Sequence, residues 1–173
     1  ESDMEALKVG DIERIVPIFM GTDQREYESL FAIAIKNIYR LVDAHIYIGR
    51  ARTVREYQGE ALGYQKMRGD CSALMAFTGK YEDLQKMAIA YTKEEFIETR
   101  EDALDALCEL INCINGLFAT QNSLQGSSIE LEPPVYLSGF ASIAAVEMVV
   151  MPVYMDNAEI ELIVSLEKDV SVR

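Results

Sequence analysis

The sequence predicts an α+β fold in which an antiparallel β-sheet packs against two long α-helices. Three observations carry this expectation. Residues 27–42 are apolar on most faces, with only Lys36, Asn37 and Arg40 interrupting after Glu28 and Ser29 of the first turn, as in a largely buried helix. Residues 99–125 hold helical spacing for several turns. Residues 159–167 alternate, with Ile160, Leu162, Val164 and Leu166 on one face and Glu159, Glu161, Ser165 and Glu167 mostly on the other.

The remaining elements follow in chain order. Residues 1–23 contain LKVGDIERIVPIFMGT, whose apolar groups are broken by Gly10, Pro17 and Gly21, so they read as a lead-in segment or linker. After the first helix, AHIYIGRARTV, EALGYQKMR and CSALMAF are short runs rich in β-formers, and Gly69-Asp70 suits a two-residue turn between the last two. KYEDLQKMAIAYT returns to helical spacing, and TKEEFIE is a polar connector. Thr99 supplies a hydroxyl N-cap with Asp102 three residues on, a capping box that opens the long helix. Beyond Gln125-Gly126 come SIELEPPVYLSG and AAVEMVVMPVYM, then Asp156-Asn157 as a turn and AEIELIVSLE. Residues 24–168 are expected to form one domain, with 169–173 as a tail.

At 173 residues the chain suits a single core. Its apolar runs are broken by Lys36, Glu147 and Pro152, so no membrane span is expected. The chain opens on Glu without a basic-then-apolar leader, so it reads as a piece of a longer cytoplasmic protein. The net charge is −13, and residues 101–173 hold 12 acidic against 2 basic side chains, which would repel nucleic acid. Arg50, Arg52 and Arg55 lack an aromatic platform and read as a solvated strand face. Cys71, Cys108 and Cys113 have no ligand spacing and are expected to be buried thiols. His45 is the only histidine and reads as structural, the eight methionines as core filler. Gly59, Gly63 and Gly69 lack the strand-to-helix setting of a phosphate loop.

The long helix poses the functional question. At about 100° per residue, Asp105, Glu109, Asn112 and Gly116 fall within one narrow stripe. Leu104, Leu107, Leu110, Ile111, Ile114, Leu117 and Phe118 cover most of the remaining circumference and are expected to be buried. The helix dipole accounts for Glu101 and Asp102 but fades beyond the first turn. A solvated face usually mixes in Lys and Arg, and there is none between Asp102 and Gln125. Gly116 costs a helix about 1 kcal/mol relative to Ala, but would let another surface approach closely. A carboxylate and an amide one turn apart are a poor set for nucleophilic catalysis. They suit a different task. An amide can orient a water for in-line attack on a phosphoryl group, and a carboxylate can pair with a cation on a partner that brings the phosphoryl group and its metal. A non-catalytic docking or dimerising module, and a plain acidic strip, are the alternatives.

The run D-A-L-C-E-L-I-N followed by Pro133-Pro134 resembles the signature of the CheC, CheX and FliY chemotaxis phosphatases. N-C-I-N-G, V-Y-L-S-G at 135–139 and the hairpin MVVMPVYMDNAEIELIVSLE extend the likeness over about residues 24–168. The resemblance implies a phosphatase acting on the phosphoaspartate of a CheY-like response regulator in two-component signalling. Glu109 would pair with a lysine at the receiver's phosphorylation site, and Asn112 would position the hydrolytic water. Asp105, Gly116, Pro133 and Pro134 would be supporting. The chain itself would hold no cofactor or metal, with Mg²⁺ carried by the receiver. CheC-like members have two motifs, whereas here Ala34 stands three residues before Asn37 with no Glu, which favours the CheX side and a homodimer with one site per chain. The prolines follow Asn112 after 20 and 21 intervening residues, slightly closer than in the family pattern. Neither a nucleic acid nor a membrane is an expected partner.

Overall fold

The computed structural model describes residues 11–93, 97–156 and 158–173. Four α-helices occur among them: α1 (Ile12–Ile15), α2 (Glu28–Leu41), α3 (Tyr81–Thr92) and α4 (Arg100–Leu124). The strands are β1 (Tyr47–Ile48), β2 (Arg52–Gly69), β3 (Ala73–Gly79), β4 (Ile129–Leu131), β5 (Val135–Met155), β6 (Ala158–Ser165) and β7 (Ser171–Val172). They form one antiparallel sheet in the order β1-β5-β6-β3-β2-β4, with β7 on β5 and a further pairing of β5 with β2. The expected α+β class is observed, and α2 and α4 are its two long helices.

Two strands run further than the sequence suggested. β2 joins two runs read as separate, and β5 absorbs both V-Y-L-S-G and the next run. Two bulges make this possible. Between Gly59/Ala61 and their partners Ala141/Ser138, β5 carries one extra residue, with Gly139 at φ +92°. A second register shift lies between Val54 and Glu56. Gly59 is needed for closeness: a Cβ there would lie 2.5 Å from the Thr78 hydroxyl, which donates to the carbonyl of Ala61 at 3.0 Å. Both bulges lift an apolar side chain into solvent, Phe140 at 75% exposure and Val146 at 72%.

The sheet buries both faces. On the helical side, Met75 and Phe77 of β3 and Ile160, Leu162 and Val164 of β6 pack with Phe31, Leu84, Leu107 and Ile111. On the other side, Leu74 and Ala76 meet Ile163, Met148, Val150 and Ile143. The period of two is kept, but the face of β6 expected to be mostly polar is half core: Ile163 and Ser165 are fully buried, and the Ser165 hydroxyl donates to the carbonyl of Glu147.

The ends of the chain also differ from expectation. Ile12, Ile15 and Val16 are buried in the main core, so the described part of the expected lead-in packs with the domain. Their i, i+3, i+4 spacing is that of a helix face. The expected tail holds β7, which pairs with β5 at Ile143 and Ala144, and Val170 is buried beneath it. The connector at 92–98 and the turn at Asp156-Asn157 fall partly on residues outside the described set.

The two-residue turn expected at Gly69-Asp70 is not formed: β2 and β3 part after Met67 and Ala73, and Gly69, at φ +125°, ends β2 paired with Ile129 of β4. Thr99 caps α4 as expected: its Oγ1 accepts from the Asp102 amide at 3.1 Å and its hydroxyl donates to the Asp102 carboxylate at 2.6 Å. Such a cap is worth about 1 kcal/mol. By length and composition α4 is apolar enough to cross a membrane, contrary to the sequence reading, but 56% of that stretch is buried inside the protein.

Candidate functional site

α4 lies on β2 where the strand offers little bulk. A Cβ at Gly63 would sit 3.4 Å from Cys108 Sγ and 3.5 Å from Ile111 Cδ1, so the helix packs closely on the sheet at this level. This buries Leu104, Leu107, Leu110, Ile111 and Ile114 and leaves Asp105, Glu109 and Asn112 exposed in their stripe. Leu117 departs from expectation at 44% exposure, and Cys113 is exposed as well. Both fall roughly 80–120° from Asp105 around the helix, on the open side of the stripe.

Asp105, Glu109 and Asn112 open onto one pocket of about 490 Å³, completed by Cys108, Pro134, Val135 and Tyr136. The chain crosses from β4 to β5 here, and Pro134 lines the pocket while Pro133 lies exposed beside it. Gly116 continues the strip, and a Cβ there would meet no atom within 4 Å, so an approaching surface finds room. Among the described residues, no group of three or more His, Cys, Asp or Glu is placed to hold a metal ion.

Behind Asn112 lies a polar relay that the sequence reading missed. Gln65 of β2 is fully buried. Its Nε2 donates to Asn112 Oδ1 at 2.7 Å and to the carbonyl of Glu132 at 2.7 Å. Its Oε1 accepts from Nδ2 of Asn115, also fully buried, at 2.8 Å. The signal was present in the sequence: Ala61, Gly63, Gln65 and Met67 share the inward period-two face of β2, and only Gln65 among them is polar.

The thiols separate sharply. Burial, then the nearby Asp105 carboxylate, pushes the Cys108 thiol up to about 12, so it is protonated at neutral pH although it lines the pocket. The thiolate is the nucleophilic form, so this environment disfavours attack by Cys108. Only Cys108 matches the expected buried thiol, since Cys71 is half-buried and Cys113 exposed. Iodoacetamide on the folded protein is expected to label Cys113 and spare Cys108 until denaturant is added. Peptide mass spectrometry reads this, and equal labelling of the two would contradict the packing. His45 is exposed beside Asp43 ahead of β1, not structural. Arg52 pairs with Glu161 at 2.6 Å on a solvated strand face.

The family described as chemotaxis phosphatase CheX matches residues 61–153, more than half of the chain and every residue of this site. The chain belongs to the CheX family. No functionally curated protein matches it in sequence. Among solved structures, it is similar to a chemotaxis protein CheX from Desulfovibrio desulfuricans, at 14% identity and TM-score 0.68 over 82% of this chain and 98% of that one. A CheX from Borrelia burgdorferi, solved in complex with CheY, BeF₃ and Mg²⁺, is 17% identical with TM-score 0.65 over 84% and 96%. A CheC-like superfamily protein from Shewanella sp. PV-4 is 16% identical with TM-score 0.65 over 84% and 97%. At these identities the neighbours establish a shared CheX/CheC-like fold, and chemotaxis phosphatase is the role attached to the family as a whole.

Proposed function

We propose that this CheX-family chain hydrolyses the phosphoaspartate of a CheY-like receiver domain. The observation that carries the reading is the exposure of Glu109 and Asn112 side by side on one pocket, on a helix otherwise built into the core. The Borrelia CheX bound to CheY supports the class of partner. Water adds to phosphorus as the bond to the aspartyl oxygen breaks. The carboxylate leaves with the electron pair, and the water proton goes to the released phosphate. No covalent intermediate on this chain is required, which agrees with a protonated Cys108.

Asn112 orients the water, and Glu109 pairs with a lysine beside the receiver's phosphorylation site, which fixes the two surfaces. Asp105 and Pro134 shape the pocket walls, and Gly116 leaves room for the receiver. Pro133 sets the chain path leading into Pro134. Mg²⁺ belongs to the receiver. The protein acts in the cytoplasm as a homodimer with one site per chain, and Phe140 and Val146 are apolar surface that a second copy would cover.

Reversing the charge with Glu109→Lys is expected to weaken binding of a phosphorylated receiver by about 30-fold or more, since a charge pair at an interface becomes a repulsion. Titration calorimetry with beryllofluoride-activated receivers measures it. Unchanged affinity for every receiver that wild type binds would exclude Glu109 from the contact.

A further inference from the structure

The relay behind Asn112 does more than fill space. We propose that Gln65, held by Asn115, is a positioning residue that fixes which end of the Asn112 amide faces the pocket. The inference rests on the phosphatase reading for its functional consequence, but its geometry stands independently.

The direction of the relay follows from one atom that cannot change its role. The carbonyl of Glu132 only accepts, so the Gln65 atom 2.7 Å from it is the donor Nε2. That nitrogen uses its second hydrogen on Asn112, so the Asn112 atom 2.7 Å away is Oδ1. Gln65 Oε1 is then turned to the other side, where Asn115 Nδ2 donates to it at 2.8 Å. Gln65 thereby satisfies both donors while wholly buried. An amide is planar, so tying Oδ1 inward turns Nδ2 of Asn112 outward, with two donors and the remaining Oδ1 lone pair available to the pocket. Reversing Asn112 would set two donors against each other and strand a buried N–H.

Asn115 strengthens the case. Its own Oδ1 is buried and finds no hydrogen-bond partner among the described residues. An apolar side chain would pack between helix and sheet without that penalty. What an apolar replacement would not supply is the Nδ2 donor that holds Gln65 in the orientation its other two contacts require. The relay therefore presents Asn112 as a donor toward a water or a phosphoryl oxygen, ahead of any receiver's arrival.

The test is a double-mutant cycle on the full chain with a phosphorylated receiver. Gln65→Met keeps the volume and removes the donors. It is expected to lower kcat about 10- to 100-fold with KM within twofold of wild type, and to add nothing to Asn112→Ala. If the double variant instead loses the product of the two single factors, Gln65 does not act through Asn112 and the proposal is overturned. A second measurement needs no Gln65 variant and no activity. In nitrogen-15 spectra, the Gln65 side-chain amide protons are expected to be protected from solvent exchange in wild type, with one of them shifted and exposed by Asn112→Ala. Free exchange in wild type, or no response to Asn112→Ala, overturns the relay. If wild type accelerates no receiver while these amide protons behave as expected, the phosphatase reading fails and the orientation of Asn112 stands.

Discussion

Asn112→Ala is expected to reduce receiver dephosphorylation by about 10²–10³-fold, the loss typical when one preorganised group at a developing charge is removed. The effect should fall on turnover and not on docking. Asn112 offers neutral hydrogen bonds to a water, whereas the charge available for holding the receiver is on Glu109, one turn away on the same stripe. The substitution leaves the helix intact, because Ala is the best helix former and Asn112 is exposed. Its loss frees one donor of Gln65, which the pocket's water can satisfy once the amide is gone. Single-turnover phosphate release with binding measured in parallel separates the two quantities. A parallel loss of binding would mean that Asn112 holds the receiver instead of the water.

Phe77→Ala is expected to destabilise the domain by about 3–5 kcal/mol, from lost burial and the cavity left behind. Phe77 is fully buried on β3, paired with Gly63 of β2 on one side and Leu162 of β6 on the other. Its neighbours are held by hydrogen-bonded strands on both sides, so the site has little freedom to collapse. Against a total stability of about 5–15 kcal/mol, such a loss shifts the urea midpoint strongly. Leu124→Ala, at a side chain 85% exposed, is the matched control and should change stability by less than about 0.5 kcal/mol. A loss below about 1 kcal/mol for Phe77→Ala would contradict the assigned core.

What the sequence revealed divides along physical lines. The cap at Thr99, the span of α4 and the exposed stripe of Asp105, Glu109 and Asn112 depend on local spacing, and all were legible, whereas the Gly69-Asp70 turn was not, because Gly69 is held by β4. The full lengths of β2 and β5 were not, because Gly59 and Gly139 look like breaks when read alone. They are bulge and close-approach positions within continuous pairing, which depends on a partner some eighty residues away. The first described residues were misread for a related reason: Pro17 and Gly21 mark short turns, but Ile12, Ile15 and Val16 carry the burial. In the pocket, Pro134 was anticipated only through the family resemblance, whereas Tyr136 and Val135 enter through the path of β5. Gln65 was visible only as one polar residue on an inward strand face, and its meaning required knowing that Asn112 lies above it.

The most direct measurement is phosphate release from a panel of phosphorylated CheY-like receivers, comparing the wild-type chain with Asn112→Ala at equal concentration. The account predicts that wild type accelerates release from at least one receiver well beyond its spontaneous rate, and that Asn112→Ala removes that acceleration while still binding. A wild-type chain that binds a receiver and leaves its phosphate lifetime unchanged would contradict it, and would make this CheX-family domain a docking module.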